Sequence, residues 1–127
     1  MSHCIADTSV FVATESGRPL GELPGFAAVS VVTLAELEVG VLRARDGSTR
    51  AKRLATLGRV RSELPAVPIS EQIGSVFAAL VAEMRERGVS PKLHDTWIAA
   101  TALHLGVPVC TQDADFDRIP RVEVLRV

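Results

Sequence analysis

Short apolar runs alternate along this chain with longer stretches in which apolar residues recur at helical spacing. The runs His3–Ala6, Phe26–Ser30, Ala66–Ile69, Val107–Thr111 and Val122–Val127 predict strands. Between them, the patterns over Thr8 to about Glu15, Thr33 to about Arg45, Ser48 to Leu64, Ser70 to Gly88 and Pro91 to Leu105 predict helices. The third helix carries Leu54, Leu57, Val60 and Leu64 as its stripe and stops at Pro65; the fourth carries Ile73, Phe77, Leu80, Val81 and Met84. Ser90 and Pro91 have the form of an N-cap followed by proline at the first helical position, and Gly106 lies past the last apolar residue of the fifth helix. Strands this short, each followed by a helical pattern, imply an α/β fold whose parallel sheet is covered on both faces. With no repeat, linker or low-complexity tract, the 127 residues predict one domain, 1–127.

The fifth helix places a carboxylate where the pattern asks for core. Ile98, Ala99 and Ala102 follow Asp95 at helical spacing, so Asp95 shares their apolar face and is expected to point inward. A buried carboxylate must be paired, protonated or bound to a cation. No Lys or Arg occurs from Leu93 to Asp117, while Asp113, Asp115 and Asp117 crowd the far end of that interval. Asp7 likewise ends the apolar run Cys4-Ile5-Ala6, and Glu36 sits among Val32, Leu37 and Val39 in a stretch without a cation from Pro19 to Leu42. Acids set into apolar elements, with the bases kept elsewhere, point to a site that takes its positive charge from a divalent metal. In parallel sheets ligands bind beyond the carboxyl ends of strands, where Asp7 and Asp113 fall.

The formal net charge of −1 implies no nucleic-acid affinity by itself, but its distribution does. Arg43, Arg45, Arg50, Lys52, Arg53, Arg59 and Arg61 face Asp46 alone, leaving the remainder at net −7. That segregation suits an acidic site that handles a polyanion. Cys4 and Cys110 both fall in predicted strands, where reduced, buried thiols are expected. The N-terminus lacks a basic region before its apolar run, and no apolar segment approaches bilayer length; a cytoplasmic protein with no membrane association is expected.

Four fragments carry a family resemblance: Ile5-Ala6-Asp7-Thr8-Ser9, Thr33-Leu34-Ala35-Glu36-Leu37, His94-Asp95-Thr96-Trp97-Ile98-Ala99-Ala100 and Thr111-Gln112-Asp113-Ala114-Asp115-Phe116. In this order and spacing the chain resembles a PIN domain of the VapC toxin ribonuclease type. The resemblance implies a five-stranded parallel sheet, Mg²⁺- or Mn²⁺-dependent cleavage of RNA, a cognate VapB-type antitoxin and a homodimer. It makes Asp7, Glu36, Asp95 and Asp113 the catalytic acids. The metal ligands are then drawn from Asp7, Asp95, Glu36, Asp113 and Asp115, with Asp113 and Asp115 as alternatives in the last turn. Thr8, Ser9 and Thr111 stand close enough to the acids in sequence to hydrogen-bond them. Arg43, Arg45, Arg50, Lys52 and Arg53 are the expected RNA contacts. Carboxylates without a protein cation also suit an arginine inserted by an antitoxin.

Each of these residues has a structural reading as well. Asp7 can cap the helix at Thr8, Glu36 can lie on a surface, and Asp113 or Asp115 can be ordinary turn acids. His94 reads as solvated, His104 as a helix-end residue favouring the dipole, and Trp97 as core or subunit contact. A housekeeping PIN nuclease and a non-catalytic interaction module of the same fold stay open. A phospho-acceptor receiver domain fits poorly, since Asp7 is a lone acid and no lysine follows the penultimate strand.

Overall fold

The computed structural model describes residues 2–127. Five strands, β1 (His3–Ala6), β2 (Phe26–Ser30), β3 (Ala66–Val67), β4 (Val109–Thr111) and β5 (Val124–Arg126), form one parallel sheet in the order β3-β2-β1-β4-β5. Helices α1 (Thr8–Ser16), α2 (Val31–Leu42), α3 (Gly47–Glu63), α4 (Glu71–Glu86) and α5 (Leu93–Leu105) connect them, and a short 3-10 helix spans Ala114–Arg118. The α/β class and the parallel sheet are as expected.

Alternation along the strands divides the core in two. Ile5, Ala28 and Val109 face a cluster with Ile73, Leu80 and Met84 of α4 and Ile98, Ala99 and Ala102 of α5. Ala6 and Val29 face the other side, with Val10 and Phe11 of α1, Leu37 and Val41 of α2, and Leu57 and Val60 of α3. Helix α5 is buried almost all round from Thr96 to Ala102, and its small Ala99, Ala100 and Ala102 let it lie close on the sheet.

Several boundaries differ from the sequence expectation. Strand β3 stops at Val67 because Pro68 cannot donate to a ladder, and Pro108 delays β4 to Val109 for the same reason. Helix α2 starts at Val31, with Ser30 Oγ accepting from Val32 N at 3.1 Å, so β2 runs straight into it. It ends at Leu42, which leaves Arg43 as C-cap and Arg45 beyond the helix. Helix α3 is capped by Asp46, whose carboxylate accepts from Thr49 N at 2.7 Å; Leu54 of the expected stripe is 55% exposed, and Thr56 takes the buried place. Ser90-Pro91 does not start α5. Lys92 is the N-cap, its carbonyl accepting from Thr96 N at 2.9 Å and Thr96 Oγ1 at 2.7 Å.

The strand order reverses between β1 and β4, since β1 continues to β2 on one side while β4 lies on the other. Such a switch point opens a crevice at the carboxyl ends of the two strands. Asp7 directly follows β1, and Thr111 is the last residue of β4.

Candidate active site

Asp7 is 4% exposed and anchors the crevice. Its Oδ2 accepts from Ser9 N at 3.2 Å, which makes it the N-cap of α1, and from Thr111 Oγ1 at 2.8 Å. The helix-cap reading and the site reading of Asp7 therefore describe one geometry. Both bonds fall on Oδ2, so Oδ1 takes neither.

Behind Asp7 runs a relay of polar groups with only one consistent direction. Gln112 N donates to Ser9 Oγ at 2.9 Å, Ser9 Oγ lies 3.1 Å from Thr111 Oγ1, and Asp113 N donates to Thr111 Oγ1 at 2.9 Å. Because the single Thr111 hydroxyl proton is given to Asp7, the Ser9 hydroxyl must donate to Thr111. Thr111 then uses its whole hydrogen-bonding capacity and ties β4, α1 and the acidic turn to one carboxylate. Asp113 in turn caps the 3-10 helix, its Oδ1 accepting from Asp115 N at 2.9 Å.

Asp95 enters from the first turn of α5. The later helix start puts it at the N-terminal end, so it is half-buried rather than enclosed. The positive end of the helix dipole favours a carboxylate there. Burial, followed by the charges of Asp7, Asp113 and Glu36, nonetheless pushes Asp95 up to about 6, while Lys92 acts in the opposite sense. Carboxylate oxygens of Asp95, Asp113 and Asp115 lie within 4.8 Å of one another. The donors are all hard oxygens, and their mutual repulsion would be relieved by a small divalent cation, so the residues present fit Mg²⁺ or Mn²⁺.

Glu36 reaches the same region from α2. Thr8 Oγ1 donates to Glu36 Oε1 at 2.8 Å, and His94 Nδ1 lies 3.5 Å from Glu36 Oε2 with its own side chain 71% exposed. Grooves flank Glu36 on both sides. One, of about 490 Å³, is lined by Val32, Ala35, Val39, His94 and Trp97; the other, of about 230 Å³, by Thr8, Val12, Glu15, Leu37, Gly40 and Arg53. Trp97 stacks on Phe77 with ring centroids 3.7 Å apart, and so belongs to the α4–α5 packing. A cavity of about 630 Å³ opens at the amino ends of β1 and β2 and is mostly apolar, with Glu63 its single acid.

The expectation that the acids lack a protein cation needs correction. Lys92 Nζ donates to Asp115 Oδ2, and the ammonium holds that carboxyl below the usual range, with Arg118 adding to the effect. Lys92 and Arg118 stand one residue outside either end of the base-free interval, so a count along the chain missed both. The 3-10 turn folds the far end of the interval back onto the near end. Of the basic run, Arg43, Arg45, Arg50 and Lys52 are exposed, while Arg53 is half-buried and donates to Gly40 O at 2.7 Å. Cys4 and Cys110 are buried free thiols on adjacent strands.

A parallel sheet in this order, with acids from β1, α2, α5 and the turn after β4 gathered at its carboxyl edge, defines a class. The chain belongs to the PIN-domain family, whose model matches residues 4–122. Within that class it is 45% identical to Ribonuclease VapC5 of Mycobacterium tuberculosis, over 97% of this chain and 94% of the relative, and 38% identical to Ribonuclease VapC4 of the same organism, over 98% and 97%. Its fold superposes on that of a member of the VapBC family of toxin–antitoxin systems, VapBC-5 of Mycobacterium tuberculosis, with a TM-score of 0.91 and 39% identity over the whole of both chains. A VapBC2 structure from Rickettsia felis, bound to a promoter DNA fragment, has a TM-score of 0.82 at 20% identity and all but 1% of its chain covered, which speaks for the fold alone. Among the described residues no helix is long and apolar enough to cross a membrane.

Proposed function

We propose that this chain is a Mg²⁺- or Mn²⁺-dependent endoribonuclease, the cytoplasmic toxin of a toxin–antitoxin pair, which hydrolyses RNA phosphodiesters to 5′-phosphate and 3′-hydroxyl ends. The observation that carries the reading is the gathering of acids at one edge of the sheet, where oxygens of Asp95, Asp113 and Asp115 lie within 4.8 Å of one another and Asp7 and Glu36 are held by the hydroxyls of Thr111 and Thr8. Similarity to ribonucleases named VapC along nearly the full length supports the substrate class.

Asp95 and Asp113, with Asp7 and Asp115 beside them, would hold the ion, and Glu36 would orient the attacking water. The ion, when bound, lowers the pKa of water and neutralises charge developing on the phosphate. Thr111 and Ser9 hold the Asp7 carboxylate through Oδ2, which would orient Oδ1 toward the ion. Thr8 fixes Glu36 in the same way. The exposed bases Arg43, Arg45, Arg50 and Lys52 would carry the RNA backbone, and Arg53 would border its path in the groove beside Glu36. A VapB-type antitoxin is the proposed partner. The apolar grooves on either side of Glu36 would take its folded tail, and an arginine from that tail would meet the carboxylates.

The test is to sequence 5′-phosphate RNA ends from cells briefly expressing the wild-type chain or Asp7→Asn. New, reproducible ends in the wild type and none in the variant are expected. Identical end profiles from two equally abundant proteins would overturn the reading.

A further inference from the structure

We propose that Lys92 is a tethered counter-cation that competes with the divalent ion for Asp115, so that metal entry displaces its ammonium from the acid cluster. The inference rests on the metal reading above.

A lysine at the N-cap of α5 is misplaced by the ordinary rules. It has no oxygen with which to cap, and it makes no side-chain cap bond. Its charge also sits at the positive end of the helix dipole. What offsets both is on the other side of the crevice, where the ammonium meets Asp115 and is further held in its charged form by Asp113 and Asp95.

The two ends of the residue are held very differently. The backbone is pinned, since the Lys92 carbonyl accepts both the N–H and the hydroxyl of fully buried Thr96. The side chain is 67% exposed and crosses from α5 to the 3-10 helix as a single strand of methylenes. A lysine of this kind is a hydrated point charge on a flexible stem, and its contact can be exchanged for water without disturbing packing. Lys92, Asp95, Asp115 and Arg118 line a small cavity of about 30 Å³ together with Met84 and other apolar residues. Two carboxylates and two bases meet there, so a divalent ion on the acids would lie beside a like charge free to leave.

The chain has two lysines, Lys52 and Lys92, which makes the displacement directly observable. In proton–nitrogen spectra of the side-chain ammonium groups, saturating Mg²⁺ should shift or remove the Lys92 signal and leave that of Lys52, exposed on α3, where it was; the spectrum of Lys92→Met assigns the pair. Calorimetric titration with Mn²⁺ should show Lys92→Met binding roughly fivefold tighter than wild type, the size expected for an exposed unit charge beside a divalent ion. Lys92→Arg keeps the charge and can grip Asp115 bidentately, so it should bind no tighter than wild type. A Lys92 signal unmoved at saturation, or equal or weaker Mn²⁺ binding by Lys92→Met, would overturn the proposal while leaving the metal site standing. Wild type that binds neither ion would overturn the metal reading and this inference together.

Discussion

Asp7 and Asp95 belong to the same cluster and are held in opposite ways. Asp7 is nearly inaccessible, and both of its hydrogen bonds come from donors fixed by the ends of β4 and α1. Asp95 is half-buried, and burial with three acidic neighbours disfavours its charge. One carboxylate is held in place by hydrogen bonds from the fold, while the other is an electrostatic load on it that a cation would relieve. On the metal reading proposed above, a site built this way would gain free energy when metal arrives.

The two asparagine variants should separate these roles most sharply. Either Asp7→Asn or Asp95→Asn should lower RNA cleavage by about 10³-fold, on the order of what losing one electrostatic stabiliser costs. Their effects on the metal-free protein should have opposite signs. Asp7→Asn weakens a charge-assisted cap and should cost about 1–2 kcal/mol of stability. Asp95→Asn should stabilise. Because the folded state raises the Asp95 value from 3.8 to about 6, the native protein binds this proton more tightly than the unfolded chain. The contribution of Asp95 is therefore favourable at low pH and is lost as pH rises through 6, so the gain in Asp95→Asn should be full at pH 7 and fade toward pH 4. Urea unfolding of both variants at several pH values measures it. A destabilised Asp95→Asn at pH 7 would break the comparison.

Thr111→Val tests whether the order around Asp7 matters to the metal. The substitution keeps the shape but removes a donor to Asp7 and the acceptor of Asp113 N. Losing the support of a ligand typically costs 10- to 100-fold in metal affinity or activity, and leaving buried groups unpaired costs about 1–3 kcal/mol. Mn²⁺ titration and urea unfolding should show both losses. Normal Mn²⁺ affinity in Thr111→Val would mean that Asp7 needs no such support.

The sequence made the fold legible because its signals were local. Short apolar runs and helical spacing located the five strands and the five α-helices, while the 3-10 helix was expected only as a turn; among the boundaries that moved, those at Pro68, Pro108, Ser30, Asp46 and Lys92 each turn on one residue's hydrogen-bonding capacity. The acids were legible because a carboxylate in an apolar stretch conflicts with burial. Their relation to Lys92 and Arg118 was not, since it depends on a turn that folds the two ends of a base-free interval together. Similarly, Thr111 stood out only as a neighbour of Asp113, and its bond to Asp7 joins two residues 104 apart in the chain.

The smallest expected effect concerns the bases outside the cluster, and it extends the comparison from two acids to two kinds of cation. Arg53 is tied to the carbonyl of Gly40 and lies in the groove with Glu36, whereas Arg50 and Lys52 are exposed on α3. If the latter two each neutralise one phosphate, Arg50→Gln with Lys52→Gln should reduce the dependence of log affinity on log salt by about 0.7 per contact for single-stranded RNA. Catalytic rate at saturating RNA should change little, because neither residue is in the acid cluster. Arg53→Gln is different: it removes a bond to α2 as well as a charge, so it should lower stability by about 1 kcal/mol and disturb Glu36 through the α2–α3 contact. Filter binding of a catalytically inactive Asp7→Asn background, measured across a salt series, separates the two cases. A salt slope unchanged in the Arg50/Lys52 variant would place the RNA path on another face of the molecule.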